Sequence, residues 1–180
     1  PPDKPPSAAG NDGAQYRVHV GSFPRPTVAY PAGGKAGSET EITYLGDVGG
    51  PIKQKVTVPN TPGEVLPLFA QANNLVAPSA NPFRITNLEN YLEAEPNNAL
   101  AEAKEKQTTP SAAPVALNGI IDKPGDEDWI KFTAKKDEKF DLIVHARGIR
   151  SPLDPVLEVF NKDAGGLGSN DDNGANPDSK

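Results

Sequence analysis

Two stretches of the sequence bring oxygen-bearing side chains close enough together for chemistry. Residues 125–132, GDEDWIKF, place three carboxylates beside Trp129, the single tryptophan of the chain. Residues 93–98, EAEPNN, supply two more acids and two amides. Such clusters serve as general acids and bases, as ligands of a hard cation such as calcium, or simply as polar turns before strands. The surrounding elements decide among these three uses.

Catalytic motifs are poorly represented. A hydrolase triad or a zinc site would need His19 or His145, the two histidines of the chain, and both lie in alternating segments opposite the apolar residues. The sequence has no Gly-x-Ser-x-Gly elbow and no His-Glu-x-x-His spacing. We therefore expect exposed strand histidines and no enzyme, while residue types alone leave a paired-carboxylate hydrolase open.

The composition favours short strands joined by turns. The 180 residues include 20 prolines and 17 glycines, and no window approaches the length of a membrane span. The net charge is −6, and all of the excess lies in residues 93–180, which hold 17 acids and 11 bases. Such a surface disfavours nucleic-acid partners, and the absence of cysteine excludes disulfides and thiolate metal sites.

The first part of the chain is predicted to be a flexible linker at residues 1–14, followed by a β-sandwich domain at residues 15–88. Its strands are predicted from apolar residues that recur at every second position. Two short candidates are interrupted by proline and are predicted to be edge strands, EVLPLFAQ at 64–71 and NPFRIT at 81–86. The others are YRVHV at 16–20, TVAYP at 27–31, TEITYLGD at 40–47 and IKQKVTVP at 52–59.

Residues 89–180 are predicted to form a second β-domain, so the fold class is all-β with two β-sandwiches. A helix of at most two turns is predicted within residues 98–107, with Asn97 or Asn98 as its N-cap. The predicted strands of this half are VALNGIID at 115–122, DWIKFTA at 128–134, KFDLIVHAR at 139–147 and PVLEVFN at 155–161.

The second half resembles the bacterial pre-peptidase C-terminal domain. This resemblance implies a jelly-roll β-sandwich of the kind appended to secreted proteases and other exported bacterial proteins. The matching stretches follow the order of the family and are EAEPNNALAEA at 93–103, LNGIIDKPGDEDWIKFTA at 117–134, FDLIVHA at 140–146 and SPLDPVLEVFNKDAGGLGSNDD at 151–172.

The first half resembles immunoglobulin-like modules of the TIG type through PTVAYPAGGKAGSETEITYLGD at 26–47. The order of the two modules is similar to that of large modular exported proteins of planctomycete-type bacteria. Members of the pre-peptidase family continue beyond the Asn-Asp-Asp motif, so the resemblance predicts a second domain that is C-terminally incomplete at Lys180. YRVHV resembles the missing terminal strand, and it could pair with either domain or be exchanged with a neighbouring chain.

The resemblance also suggests a calcium site. Related collagen-binding domains of clostridial collagenases hold calcium between an acidic N-terminal segment and the turn before a strand. The corresponding residues here are Glu93, Glu95, Asn97 and Asn98 in the first segment and Asp126 and Asp128 in the second. The alternative is structural: Asp126 caps its turn, Glu93 and Glu95 are solvated charges, and Asn98 replaces an acid of the family.

Three further features have structural interpretations. GSNDDNG at 168–174 fails as an EF-hand loop at both anchoring positions, so Asn170, Asp171 and Asp172 are predicted to form a turn. Asp154 is predicted to fix a loop before a strand. Trp129 is predicted to be partly exposed, which leaves it either covered by a loop or available as a carbohydrate or protein contact.

We therefore expect a non-catalytic accessory, adhesion or spacer module of a secreted, periplasmic or cell-surface bacterial protein, with calcium as the possible cofactor. Its expected partners are the other domains of the parent protein. The alternative function is calcium-dependent binding of a protein or polysaccharide ligand, and a small hydrolase is the third candidate.

Overall fold

Strands make up almost all of the regular structure. The computed structural model describes residues 16–105, 113–172 and 178–179, and the linker predicted for residues 1–14 lies outside these ranges. Within them the protein is all-β, as predicted, with one α-helix and one 3-10 turn. The strands are β1 Val28–Tyr30, β2 Gly33–Lys35, β3 Glu39–Leu45, β4 Ile52–Thr57, β5 Val65–Leu68, β6 Gln71–Ala72, β7 Leu75–Val76, β8 Asn81–Thr86, β9 Glu89–Leu92, β10 Val115–Asn118, β11 Leu157–Phe160 and β12 Gly166–Asn170.

The first sheet is antiparallel and has the strand order β1-β3-β4. Alternation in its sequence predicts its faces correctly: Ile42 and Tyr44 of β3 are buried, whereas Glu41 is exposed. In β4, Ile52, Gln54 and Val56 are half-buried and alternate with the exposed Lys53, Lys55 and Thr57. Successive side chains of a strand point to opposite faces, so this period of two fixes which side of the sheet meets the core.

The second sheet has the order β2-β8-β5, and it corrects one expectation. NPFRIT was predicted to be an edge strand, but β8 lies in the centre of this sheet. The antiparallel register places Pro82 opposite Pro67, so the two residues without an amide hydrogen share one position of the ladder. On the other side, β2 pairs only from Arg84 onwards and leaves Pro82 outside the pairing. β2 itself lies in the Gly-rich stretch AGGKAGSE at 32–39, which is not among the predicted strands.

Both sheets contribute to one hydrophobic core. Phe83 of β8 is fully buried, as are Ile42 and Tyr44 of β3. The cluster contains apolar side chains from strands and from the connections between them, so it holds the two sheets together. Its members are Ala29, Ile42, Tyr44, Val58, Leu68, Ala70, Ala77, Phe83 and Ile85.

A parallel strand pair joins the two halves of the sequence. β9 pairs with β10 over four residues of each strand, from Val115 opposite Glu89 to Asn118 opposite Leu92. Asn118 also reaches the first half, where its side-chain oxygen accepts a hydrogen bond from the Ala32 amide at 3.0 Å. A second contact between the halves runs from the Arg150 guanidinium to the carbonyl of Ala80 at 2.6 Å.

The short helix is present but is not capped as predicted. The helix, α1, spans Leu100–Glu105 within the predicted region. No helix in the described ranges is long and apolar enough to cross a membrane. Asn97 and Asn98 do not act as side-chain caps. Instead, the side-chain nitrogen of Asn98 donates to Glu95, and the side-chain amide of Asn97 lies between Glu95 and Asp128.

Strand pairing in the second half is sparser than predicted. β10 and β11 fall within predicted strands, and β11 pairs with β12. DWIKFTA and KFDLIVHAR were predicted to be strands, but neither contributes a strand of a ladder. Residues 140–146 still alternate strictly between half-buried or buried and exposed positions. Alternation therefore predicted the faces of this segment and not its hydrogen-bonding partners.

YRVHV was also predicted to be a strand, and this prediction is wrong for the described chain. All five residues are exposed and none belongs to a strand. The side chains of Tyr16, Val18 and Val20 are 90%, 69% and 91% exposed. Order in the first half begins with Pro24 and Pro26, which are buried, so the segment lies outside the core that it was expected to join.

Asp178 closes the 3-10 turn Arg147–Ile149. It is buried, and its carboxylate accepts hydrogen bonds from the amides of Ala146 at 3.0 Å, Arg147 at 2.7 Å and Gly148 at 3.5 Å. Burial alone would raise the pKa of Asp178. The three backbone donors outweigh it and lower that pKa from its ordinary value.

We expect the Asp178→Ala variant to lose about 2 kcal/mol of unfolding free energy at pH 7, because three amides lose a charged acceptor. Since the folded pKa is depressed, this stability is present above the ordinary pKa of 3.8 and is lost as the pH falls through the folded pKa. Urea denaturation over a pH series measures it. Asp154→Ala, in an exposed loop, is the control, and equal losses for both variants would contradict the role of Asp178.

The core gives a second prediction. We expect Phe83→Ala to cost about 4 kcal/mol, because it removes a fully buried ring and leaves a cavity between the sheets. The same substitution at Phe69, which is 42% exposed, is the matched control and costs about 1 kcal/mol or less. Chemical denaturation compares the two. Similar losses of unfolding free energy for the two variants would show that Phe83 is not a central residue of the core.

Candidate metal site

The candidate site lies at the end of the parallel pair. β9 ends at Leu92 and β10 ends at Asn118, so the residues that follow both strands leave the sheet at the same edge. The amide of Glu93 donates to the carbonyl of Asn118 at 2.9 Å, which extends the pairing by one residue. The acidic segment that begins at Glu93 therefore runs beside the turn that begins at Gly119.

The turn after β10 is shaped around two carboxylates. The amide of Ile120 donates to Oε1 of Glu93 at 2.5 Å. A Cβ atom at Gly119 would lie 2.5 Å from Oε2 of Glu93 and 2.7 Å from Oδ2 of Asp128. A side chain at this position would displace the ends of these two carboxylates, so glycine allows both to approach the backbone.

Asp128 is brought to the site by a backbone contact. The amide of Trp129 donates to the carbonyl of Asn97 at 2.9 Å, which fixes the two acidic stretches side by side. One carboxylate oxygen each from Glu93, Glu95 and Asp128 then lie within 4.8 Å of one another, and we call these three residues the acidic cluster. None of the ion pairs between described residues involves them.

The side chain of Asn97 lies between two carboxylates and is only 7% exposed. Its nitrogen is 3.3 Å from Oδ1 of Asp128, and its oxygen is 2.8 and 3.0 Å from the two carboxylate oxygens of Glu95. Rotating the amide lets the nitrogen donate to both carboxylate oxygens of Glu95 and satisfies the side chain. In this orientation the amide oxygen lies on the side of Asp128, beside the carboxylates of the cluster.

Other oxygens at the site also lack partners. Glu95 is held by the amide of Asn97 at 2.9 Å and by the side-chain nitrogen of Asn98 at 3.3 Å. Oε2 of Glu93 and Oδ1 of Asn98 are buried and accept no hydrogen bond. Buried acceptors without donors are rare in folded proteins, so these oxygens, which lack partners among the described residues, are candidates for contact with a positively charged ligand.

Asp126 stands apart from the acidic cluster. Its Oδ2 accepts a hydrogen bond from the amide of Asp122 at 2.8 Å, and the Lys123 ammonium lies 3.6 Å from Oδ1. The backbone donor is the main reason that the pKa of Asp126 is lowered. Of the six residues suggested by the sequence, Asp126 thus closes its own turn, which is the structural alternative predicted for it, and Asn98 orients Glu95.

The electrostatics of the site reflect crowded negative charge. Burial is the main cause that raises the pKa of Glu93 from 4.5 to about 7, and repulsion from Asp128 adds to it. Burial also raises the pKa of Asp128. The two carboxylates therefore resist simultaneous ionisation unless another charge compensates them.

Tyr30 was not predicted to belong to this region. Its hydroxyl donates to the carbonyl of Asn118 at 3.4 Å, and its pKa is raised to about 12 by burial and then by the charges of Glu93 and Asp128. Tyr30 belongs to β1, far away in the sequence, so no local pattern could have assigned it. Gly119 was missed too, because a glycine after a strand is also the commonest sign of an ordinary turn.

The remaining sequence candidates lie elsewhere. Trp129 is half-buried, as predicted, and stacks on Phe160 with ring centroids 5.1 Å apart, while its indole nitrogen donates to Glu127 at 2.9 Å. Asn170, predicted to lie in a turn, is the last residue of β12, and its side chain donates to the carbonyl of Asp172 at 3.1 Å. Asp171 and Asp172 follow the strand, and residues 173–174 lie outside the described ranges. His19 and His145 are exposed, although neither lies in a strand.

Comparison with known proteins adds no relative. No model of a known protein family matches this chain, and neither a curated protein nor a solved structure matches it. The resemblances noted in the sequence therefore rest on its motifs alone.

The crowding of Glu93 leads to a prediction for the cation-free protein. In EDTA at pH 8, we expect Glu93→Gln to be more stable than the parent chain by about 1 kcal/mol, a value discounted because solvent screens this half-exposed carboxylate. Glutamine keeps an acceptor for the Ile120 amide. Because the folded pKa is raised, the parent chain loses this stability as the pH rises from 4.5 to about 7.

Urea denaturation at pH 5 and pH 8 measures the difference. Glu39→Gln, at the exposed first position of β3, is the control and should leave the unfolding free energy unchanged at both pH values. A Glu93→Gln variant that is less stable than the parent chain in EDTA at pH 8 would show that the carboxylate is not destabilised by its surroundings.

Proposed function

We propose that this chain is a non-catalytic accessory module of an exported bacterial protein, and that it holds a structural calcium ion at the acidic cluster. The ion would be bound by the carboxylates of Glu93, Glu95 and Asp128 and by the side-chain oxygen of Asn97. Its role would be to hold the segment after β9 against the turn after β10, and so to stiffen a spacer or adhesion domain.

The observation that carries this proposal is the convergence of Glu93, Glu95 and Asp128, with one carboxylate oxygen of each within 4.8 Å of the others. Acidic groups are common on protein surfaces, but here Oε2 of Glu93 is buried without a hydrogen-bond partner among the described residues, and burial raises the pKa of Glu93, so a bound cation would relieve the crowding. The site offers only oxygen ligands, which are the ligands of calcium, and backbone carbonyls and water complete its coordination in most proteins. Zinc and other softer metals favour histidine or cysteine, which the site lacks.

The non-catalytic part of the proposal is supported by the surroundings of the histidines. His145 is exposed, and none of the side-chain hydrogen bonds between described residues joins its ring to a hydroxyl or a carboxylate, so the partners of a hydrolase triad are not assembled around it there. Trp129 is covered by Phe160 and bonded to Glu127. These contacts favour a stabilising ion over calcium-dependent recognition of a polysaccharide, for which an exposed aromatic ring would serve better.

The resemblance of the second half to the pre-peptidase C-terminal domain supports the same proposal. In that interpretation, residues 15–88 form an immunoglobulin-like sandwich and residues 89–180 a jelly-roll sandwich, both carried by a secreted, periplasmic or cell-surface protein. Such modules act beside the other domains of their parent protein, which would be the principal partners of this chain.

Calcium titration of the EDTA-treated protein tests the proposal. We expect the melting temperature to rise with calcium at micromolar to millimolar concentrations, because an ion that binds only the folded state stabilises it by mass action. The fluorescence of Trp129, the single tryptophan, should change over the same range, since Asp128 precedes it and its amide bonds to Asn97.

Variants separate this site from general ionic effects. Asp128→Asn should weaken calcium binding by about a hundredfold or more, because it removes one of three charged ligands. Glu39→Gln should bind as the parent chain does, and magnesium at equal concentration should have a smaller effect. The absence of any thermal or fluorescence response at millimolar calcium, or an equal loss in both variants, would overturn the proposal.

A further inference from the structure

Residues 16–20 have the sequence of a buried strand and the environment of an exposed tail. Tyr16, Val18 and Val20 alternate with Arg17 and His19, and two of the three apolar side chains are at least 90% exposed. β-branched and aromatic residues at alternate positions are typical of strands with one face in a core. In the described chain this face contacts no core, and the backbone of the segment is unpaired.

The same molecule contains an unpaired edge that matches this segment. Residues 140–146 alternate in burial, with Phe140, Leu142 and Val144 facing inward. In an extended segment, the amides of alternate residues point to opposite edges. The amides of Val144 and Ala146 bond to Ser179 and Asp178, so these two residues line one edge.

The opposite edge carries the amides of Asp141, Ile143 and His145. No hydrogen bond joins these amides to another described residue, and all three residues are exposed, with Ile143 at 50%. An exposed edge with unpaired donors and acceptors is a template for an added strand. A strand that paired here would place its apolar face beside Phe140, Leu142 and Val144.

The charges around the two elements are complementary. Residues 15–38 contain three basic residues and no acid, whereas residues 137–141 contain three acids and one lysine. If the apolar faces align, Arg17 of the added strand lies on the same outward face as Asp141. Oppositely charged side chains on neighbouring strands stabilise a pair and help to fix its register.

We infer that residues 16–20 add as a β-strand to the edge formed by residues 140–146 of a second copy of this chain. Because each copy carries both the exposed segment and the unpaired edge, the exchange can be reciprocal and gives a closed twofold dimer. Among the described residues of one molecule both elements are unpaired, whereas two molecules would pair both. This inference is independent of the proposed calcium site.

The oligomeric state of the 180-residue chain tests the inference. Sedimentation over a series of protein concentrations should show a monomer–dimer equilibrium. Val18→Asp should weaken dimerisation by about tenfold or more, because it places a charge on the face that becomes buried. Val48→Asp is the matched control, since Val48 is 98% exposed in the connection between β3 and β4, and it should dimerise as the parent chain does.

Cysteine pairs then distinguish exchange from pairing within one chain. The protein has no cysteine of its own, and His19 and Ile143 would share the outward face of the paired strands, so a His19→Cys chain mixed with an Ile143→Cys chain should form a disulfide-linked heterodimer. A mixture of Val48→Cys and Ile143→Cys chains should not. A monomer at all concentrations, an unchanged dimer for Val18→Asp, or a bridge that forms only within a chain carrying both cysteines would overturn the inference.

Discussion

The parallel pairing of β9 with β10 is the constraint on which the rest of the structure depends. Parallel strands need a connection that crosses from the end of one to the start of the other, and here that connection contains α1. Because both strands run in the same direction, Glu93 and Gly119 leave them at the same edge. Asn118, the last residue of β10, also bonds to Ala32, so the same pair joins the two halves of the chain.

The acidic cluster is held by its backbone against its own electrostatics. Two unit charges about 5 Å apart repel each other by about 3 kcal/mol at an effective dielectric constant near 20. The amides of Ile120 and Asn97 nevertheless hold Glu93 and Glu95, and the Trp129 amide keeps Asp128 beside Asn97. Folding therefore creates a preorganised negative site. Main-chain hydrogen bonds to the three segments offset the repulsion between the carboxylates. A cation at this position would convert that repulsion into attraction.

Local sequence patterns predicted the faces of strands better than their partners. Ile42 and Tyr44 are buried where alternation placed them, and residues 140–146 alternate although they pair with no strand. Hydrogen-bonding partners depend on which distant segments reach the same edge, and periodicity contains no such information. Two strand assignments near proline and glycine were wrong for a similar reason. β8 is a central strand because Pro82 lies opposite Pro67, and β2 forms in a Gly-rich stretch because β8 lies beside it.

The sequence by itself determined the all-β class, the main faces of β3 and β4, the short helix, and the exposure of both histidines, because each follows from side chains a few residues apart. It also identified the residue types for an oxygen-rich site. Only the tertiary structure decided that Glu93, Glu95, Asn97 and Asp128 come together while Asp126 closes its own turn. That separation depends on backbone hydrogen bonds between segments distant in the sequence, and such contacts exist only once β9 and β10 have paired.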